Sequence, residues 1–279
     1  MKKTLLIIAF FCFCFQAFSQ ENLDQQSAAI IKEGKLLYRS EMASWYGTDV
    51  FMEKFKEKSA NIGGYLSYAE GAQYKCVFFS KGEEPKVIAT IKFDSTYNVQ
   101  QALADGSERV FDKNEADLYS IRKAALHEVN TDTIFKVAKN INLNLVPLII
   151  DGQRKVYILS GPRENGFVIL GNDYLITFDK DNKIIEKRKI HRNMIPIAYG
   201  KKDEPPITAH SHLAQTGELI TATDICTLML YGKFANWKQH YVLTPKYVCI
   251  WDFGKNDLIT ITREAWDRIN KDQKERHKN

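Results

Sequence analysis

The chain has 279 residues, 26% of them charged and 44% hydrophobic, with a formal net charge of +5. That length suits one large domain or two modest ones, and the composition is that of a folded chain rather than a disordered one. So mild a charge argues against a nucleic-acid partner, and no stretch beyond the N-terminus reaches the ~18 apolar residues of a membrane span.

The first residues read as an address. Met1-Lys2-Lys3-Thr4 is a short basic segment, Leu5 to Phe15 is apolar, and Ala17-Phe18-Ser19 puts small residues at −3 and −1 of a cleavage point. This is the pattern of a secretory signal peptide over residues 1–19, too short for a comfortable span. It predicts an exported chain, periplasmic or secreted, that starts at Gln20; losing Lys2 and Lys3 lowers the net charge from +5 to +3. Cys12 and Cys14 lie in the apolar stretch with no lipobox before them. Cys76, Cys226 and Cys249 remain, too few for a disulfide framework; one bridge and free buried thiols are both compatible with their apolar surroundings.

From Gln25 to about Phe55, Ala28, Ile31, Leu36, Leu37, Met42 and Trp45 recur at helical spacing, with Gly34 and Gly47 as interruptions. Short aromatic and β-branched runs at 65–68, 74–79 and 86–93 read as strands separated by turns. A second helix fits 114–128. Runs at 143–150 and 155–159 flank Asp151-Gly152, a hairpin signal. Further strands at 167–170, 174–178 and 183–190 follow, all expected in one antiparallel meander. After an extended 194–199 and a Pro-Pro loop at 200–206, a strand at 207–212 carries two histidines. A helix is expected over 221–237, then strands at 240–243, 247–251 and 258–262, and a charged helical tail from Arg263. The pattern predicts an α+β fold, a mainly antiparallel sheet with an N-terminal, a middle and a post-histidine helix. The working division is 20–140 and 141–279, within what can be one continuous domain.

The candidate site is His210-Ser211-His212 followed by Thr221-Ala222-Thr223-Asp224. On a strand, residues two apart share a face, so both imidazoles point the same way. Asp224 falls in the first turn of the next helix. Two histidines and a carboxylate with one position left for water is the layout of a catalytic zinc site. Thr221-x-x-Asp224 is equally what an ordinary capping box looks like. His191, within Lys189-Ile190-His191-Arg192, is expected to be solvated, and joins the site only if the meander folds back.

The segment His210–Phe253 resembles the C-terminal half of a JAB/MPN (JAMM) metalloprotease domain, with its His-x-His, short loop, Ser-x-x-Asp helix start and returning strand. Here Leu213 stands for the family's proline, Thr221 for its serine, and eight rather than seven residues precede Thr221. The resemblance implies zinc held by His210, His212 and Asp224, with Thr221 helping to stabilise an oxyanion. It also implies an upstream general base, matched by Glu164 in Glu164-Asn165-Gly166-Phe167-Val168-Ile169-Leu170-Gly171, a residue that could equally be a plain turn residue. The expectation is an exported zinc-dependent hydrolase acting on a peptide or protein substrate. The alternative is an exported binding or structural protein with no metal or a degenerate site.

Overall fold

The computed structural model describes residues 2–200 and 207–276, with side chains from residue 22 onward. Most of the loop expected at 200–206, and the last three residues, lie outside the described part.

Helix α1 runs from Lys2 to Lys54, straight through Gly34. A Cβ at Gly34 would stand 2.7 Å from Ile225 Cβ and 2.9 Å from the carbonyl oxygen of Ala222. This glycine is therefore a point of close approach between helices, and not the interruption that propensity suggests. Among the described residues no helix is long and apolar enough to cross a membrane.

Strands β1 (Ile62–Glu70), β2 (Gln73–Ser80), β3 (Val87–Phe93) and β4 (Leu103–Asp105) form one antiparallel sheet in chain order. Helix α2 (Lys113–Thr131) starts with a capping box between Asp112 and Glu115, which satisfies backbone N–H groups that the helix cannot. Strands β5 (Ile141–Ile150) and β6 (Gln153–Pro162) make the expected hairpin, with Asp151 and Gly152 both at positive φ, as a two-residue turn between twisted strands requires.

The meander then departs from expectation. Strands β7 (Phe167–Gly171), β8 (Tyr174–Phe178), β9 (Ile184–Lys189) and β10 (Met194–Ala198) all form, but β7 does not pair with β8. The second sheet runs β5-β6-β8-β9, and β7 pairs with β10 in a separate ribbon, Gly171 opposite Met194 and Phe167 opposite Ala198. The reason lies in the link. Gly171 and Asn172 are left-handed, and the buried Asn172 side chain is held by Ser160, Tyr174 and the Lys136 carbonyl. That network anchors the link to the β6 side and sends β7 away.

The last section contains β11 (Ile207–Ser211), α3 (Ala222–Tyr231), β12 (Gln239–Leu243), β13 (Tyr247–Asp252), β14 (Asp257–Thr262) and α4 (Arg263–Arg276). α3 is shorter than the 221–237 expected. Its sheet is ordered β11-β12-β13-β14; β11 lies parallel to β12 with α3 as the crossover, and the other pairs are antiparallel. The α+β class therefore stands as expected.

Core packing crosses residue 140: Leu66, Phe79 and Leu118 share one apolar cluster with Val156, Ile158 and Tyr174. Cys76, Cys226 and Cys249 are buried and free, each in a different apolar cluster.

Candidate metal centre

His210 and His212 point inward from the end of β11 while Ser211 between them is exposed, the alternation that a strand imposes. α3 then crosses back and presents Asp224 from its first turn. The β7–β10 pairing adds a residue that local sequence does not predict. It carries the chain after β9 inward, so that His191 is buried and not solvated as its basic neighbours suggest. Gly171 makes this possible. It sits at φ 76°, and a Cβ there would fall 2.2 Å from the Asn193 carbonyl oxygen and 3.1 Å from His191 Cβ.

Ligating atoms of His191, His210, His212 and Asp224 all lie within 4.8 Å of one another. His212 Nε2 is 2.9 Å from His210 Nε2 and 3.0 Å from His191 Nε2. Asp224 oxygens stand 3.2 Å from His212 Nε2, 3.5 Å from His191 Nε2 and 3.6 Å from His210 Nε2. Tetrahedral bonds of ~2.0–2.1 Å, usual for zinc with nitrogen and oxygen ligands, set ligand atoms roughly 3.3 Å apart. The five contacts just given, 2.9–3.6 Å, bracket that spacing, and the whole group spans no more than 4.8 Å. Their side chains are 8%, 2%, 0% and 1% exposed in chain order, so the cluster is sealed from solvent.

The opposite ring nitrogens explain why the Nε2 atoms converge. His191 Nδ1 donates to Asp173 Oδ1 at 2.7 Å, His212 Nδ1 donates to the Leu219 carbonyl at 3.0 Å, and His210 Nδ1 meets His240 Nε2 at 2.8 Å. A ring that donates from Nδ1 presents a bare Nε2 when neutral. Two such lone pairs 3.0 Å apart repel unless a cation lies between them. Ligating histidines held outward in this way are the usual support of a metal site.

Asp224 has two duties. Its Oδ2 accepts from Thr221 N at 3.0 Å and from Thr221 Oγ1 at 2.7 Å, closing the capping box. Its Oδ1 is buried and has no hydrogen-bond partner, a costly state for a carboxylate oxygen unless it faces a cation. The capping box is thus formed, and the same carboxylate also faces the three imidazoles, Oδ2 towards His191 and His212 and Oδ1 towards His210.

Electrostatics follow the same geometry. Burial opposes charge on His191, but the Asp224 and Asp173 carboxylates outweigh it and hold its pKa up at about 11. Burial lowers His210 to about 4 and His240 to about 3. Burial would raise Asp224, but His191 and His210 keep it well below the usual carboxylate range. The pocket favours a positive charge at its centre, supplied by a proton on His191 or by a metal ion.

The structure thus brings together His210, His212 and Asp224 and adds His191. It does not bring in Glu164, which is exposed in the turn before β7. The site lies at the Gly171 end of β7, and Phe167 is already about 13 Å away at the usual strand rise; Gly166 is tied to Tyr199 at the far end. Glu164 is therefore not among the groups gathered at the cluster. Nor is Thr221 free to stabilise an oxyanion, because its hydroxyl donates to Asp224 and accepts from the Asp224 amide as the cap of α3. A cavity of about 40 Å³ beside His191 and His210, lined also by Gly171, Asn193, Ser211 and Leu213, has room for a water molecule or two.

No family model matches the chain, and no curated protein or solved structure is significantly similar to it.

Proposed function

We propose that this chain is an exported metal-binding protein built around one zinc ion, held by His191, His210, His212 and Asp224. One observation carries the reading: three imidazoles turn their Nε2 atoms to one buried point, beside a carboxylate oxygen that has no other partner. Three nitrogens and one oxygen at this spacing suit zinc. Four protein ligands make a closed centre of the structural kind, which ties the chain after β9, the end of β11 and the start of α3 together. Export rests on the basic and apolar segments of residues 1–19.

Zinc content of the purified chain from Gln20, beside a His210→Ala/His212→Ala variant, tests this. About one zinc per chain, lost in the variant, is the expected result. No zinc after loading and dialysis would overturn it, and the cluster would then be a buried His191–Asp173–Asp224 ion network.

The second reading is the zinc-dependent peptide or isopeptide hydrolase, resembling JAB/MPN enzymes. It draws support from the order β11, α3, β12 around His210, His212 and Asp224, and from the water-sized cavity beside His191. It requires a solvent molecule at the metal and a base other than Glu164. Cleavage of peptide or casein substrates, abolished by His210→Ala, would favour it; no turnover by zinc-loaded protein favours the closed centre.

A further inference from the structure

Each ring's outer partner is different in kind: a carboxylate for His191, a carbonyl for His212, and for His210 a second imidazole. The last is the unusual one. His240 is fully buried, lies with its ring roughly parallel to Trp237, and bonds His210 Nδ1 through Nε2 at 2.8 Å and Thr208 Oγ1 through Nδ1 at 2.7 Å. Thr208 and His240 are register partners on β11 and β12. The three groups form a chain in which every member can either donate or accept.

We propose that His240 is the residue that sets the tautomer of His210 for metal binding, and that the His210–His240–Thr208 chain runs in opposite directions in the metal-free and metal-loaded protein. The inference rests on the metal reading above. On the inner side, His210 Nε2 faces only acceptors, the bare His212 Nε2 at 2.9 Å and Asp224 Oδ1 at 3.6 Å. Without a metal ion the proton of His210 therefore sits on Nε2, His210 Nδ1 accepts from His240 Nε2, and His240 Nδ1 accepts from the Thr208 hydroxyl. With a metal on His210 Nε2 the proton must sit on Nδ1. His240 Nε2 then accepts it, and His240 Nδ1 donates to Thr208. No proton is gained or lost along this chain; each ring exchanges one tautomer for the other. A carbonyl in place of His240 could serve the loaded form only, whereas an imidazole satisfies both. This accounts for a histidine at a buried position where an apolar residue would pack without polar cost.

The test uses the chain from Gln20 with ¹⁵N-labelled histidine, with and without zinc. Ring nitrogen shifts are expected to report His240 as the Nε2–H tautomer in the metal-free form and the Nδ1–H tautomer in the zinc form. A through-hydrogen-bond nitrogen–nitrogen coupling between His210 Nδ1 and His240 Nε2 is expected in both. His240→Leu is expected to weaken zinc binding about 10–100-fold, the usual effect of losing a ligand's support. His240→Gln, whose amide can accept from His210, is expected to recover most of that. If His240→Leu does not fold, the nitrogen shifts of the unaltered protein still decide. No zinc uptake by the unaltered chain would overturn the metal reading itself. Zinc uptake with an unchanged His240 tautomer, or with undiminished affinity in folded His240→Leu, would overturn this inference alone.

Discussion

Asp173 accepts from His191 Nδ1 at 2.7 Å with one oxygen and takes the hydroxyl of Thr223 with the other. One carboxylate at the start of β8 thus holds a metal-ligand candidate from the chain after β9 and the first turn of α3. Asp173→Ala is expected to weaken zinc binding about 10–100-fold, with Thr223→Val producing a smaller loss because the His191 bond survives. Competition titration against a chelating dye reads both. Equal affinities in all three proteins would contradict the role given to Asp173.

Zinc should stabilise the fold by mass action. At a free concentration 100 times its dissociation constant the gain is about 2.7 kcal/mol, which for a chain of this size corresponds to roughly 5 °C in Tm. Calorimetry with zinc and then with excess chelator measures it. A Tm indifferent to both would mean that no ion holds the cluster.

The cap of α3 can be separated from the site by substitution. Thr221→Val removes the hydroxyl that accepts from Asp224 N and donates to Asp224 Oδ2, and should cost about 1 kcal/mol of stability as well as loosening Asp224. Thr221→Ser keeps the hydroxyl and should stay within a few tenths of a kcal/mol of the parent. Urea unfolding of the two, with and without zinc, gives both quantities. The prediction fails if valine and serine prove equivalent.

A pH effect should come from outside the site. Glu41 on α1 is buried with a hydrogen bond from Asn144 at 3.1 Å, and burial pushes its carboxyl from 4.5 up to about 7 against the lesser pull of Asn144. The folded chain keeps this proton until about pH 7, while the unfolded chain releases it near pH 4.5. Between those values unfolding releases a proton, so stability falls as pH rises, by roughly 3 kcal/mol in all. Glu41→Gln should flatten that fall and be the more stable protein at pH 8. Unfolding midpoints at pH 5 and pH 8 that move in parallel for the two proteins would count against it.

Residue order made part of this site legible and hid the rest. His210, His212 and Asp224 could be read because strand period and a helix start place them together within one short stretch. Thr221 was legible in two ways, as an oxyanion helper and as the N-cap of a capping box, and the structure shows its hydroxyl in the cap. His191 was hidden because its burial depends on β7 leaving the meander for β10, a long-range pairing that no local pattern encodes. Ile190, buried at the end of a charged strand, was the one local hint. Glu164 failed for the reverse reason. Its spacing to Gly171 was right, but spacing along a strand does not say which end faces the site.

Each buried cysteine sits in its own apolar cluster, so no two of them can be joined without dismantling a core. Among the described residues, then, no sulfur bridge stitches the segments that meet at the histidines. A bound ion would take that place, closing the stretch from His191 to Asp224 into a loop and thereby restricting the unfolded chain in the way a covalent link does. Such a link responds to a different reagent. The protein should keep its shape in strong reductant and loosen in a chelator, the reverse of an exported protein that relies on disulfides.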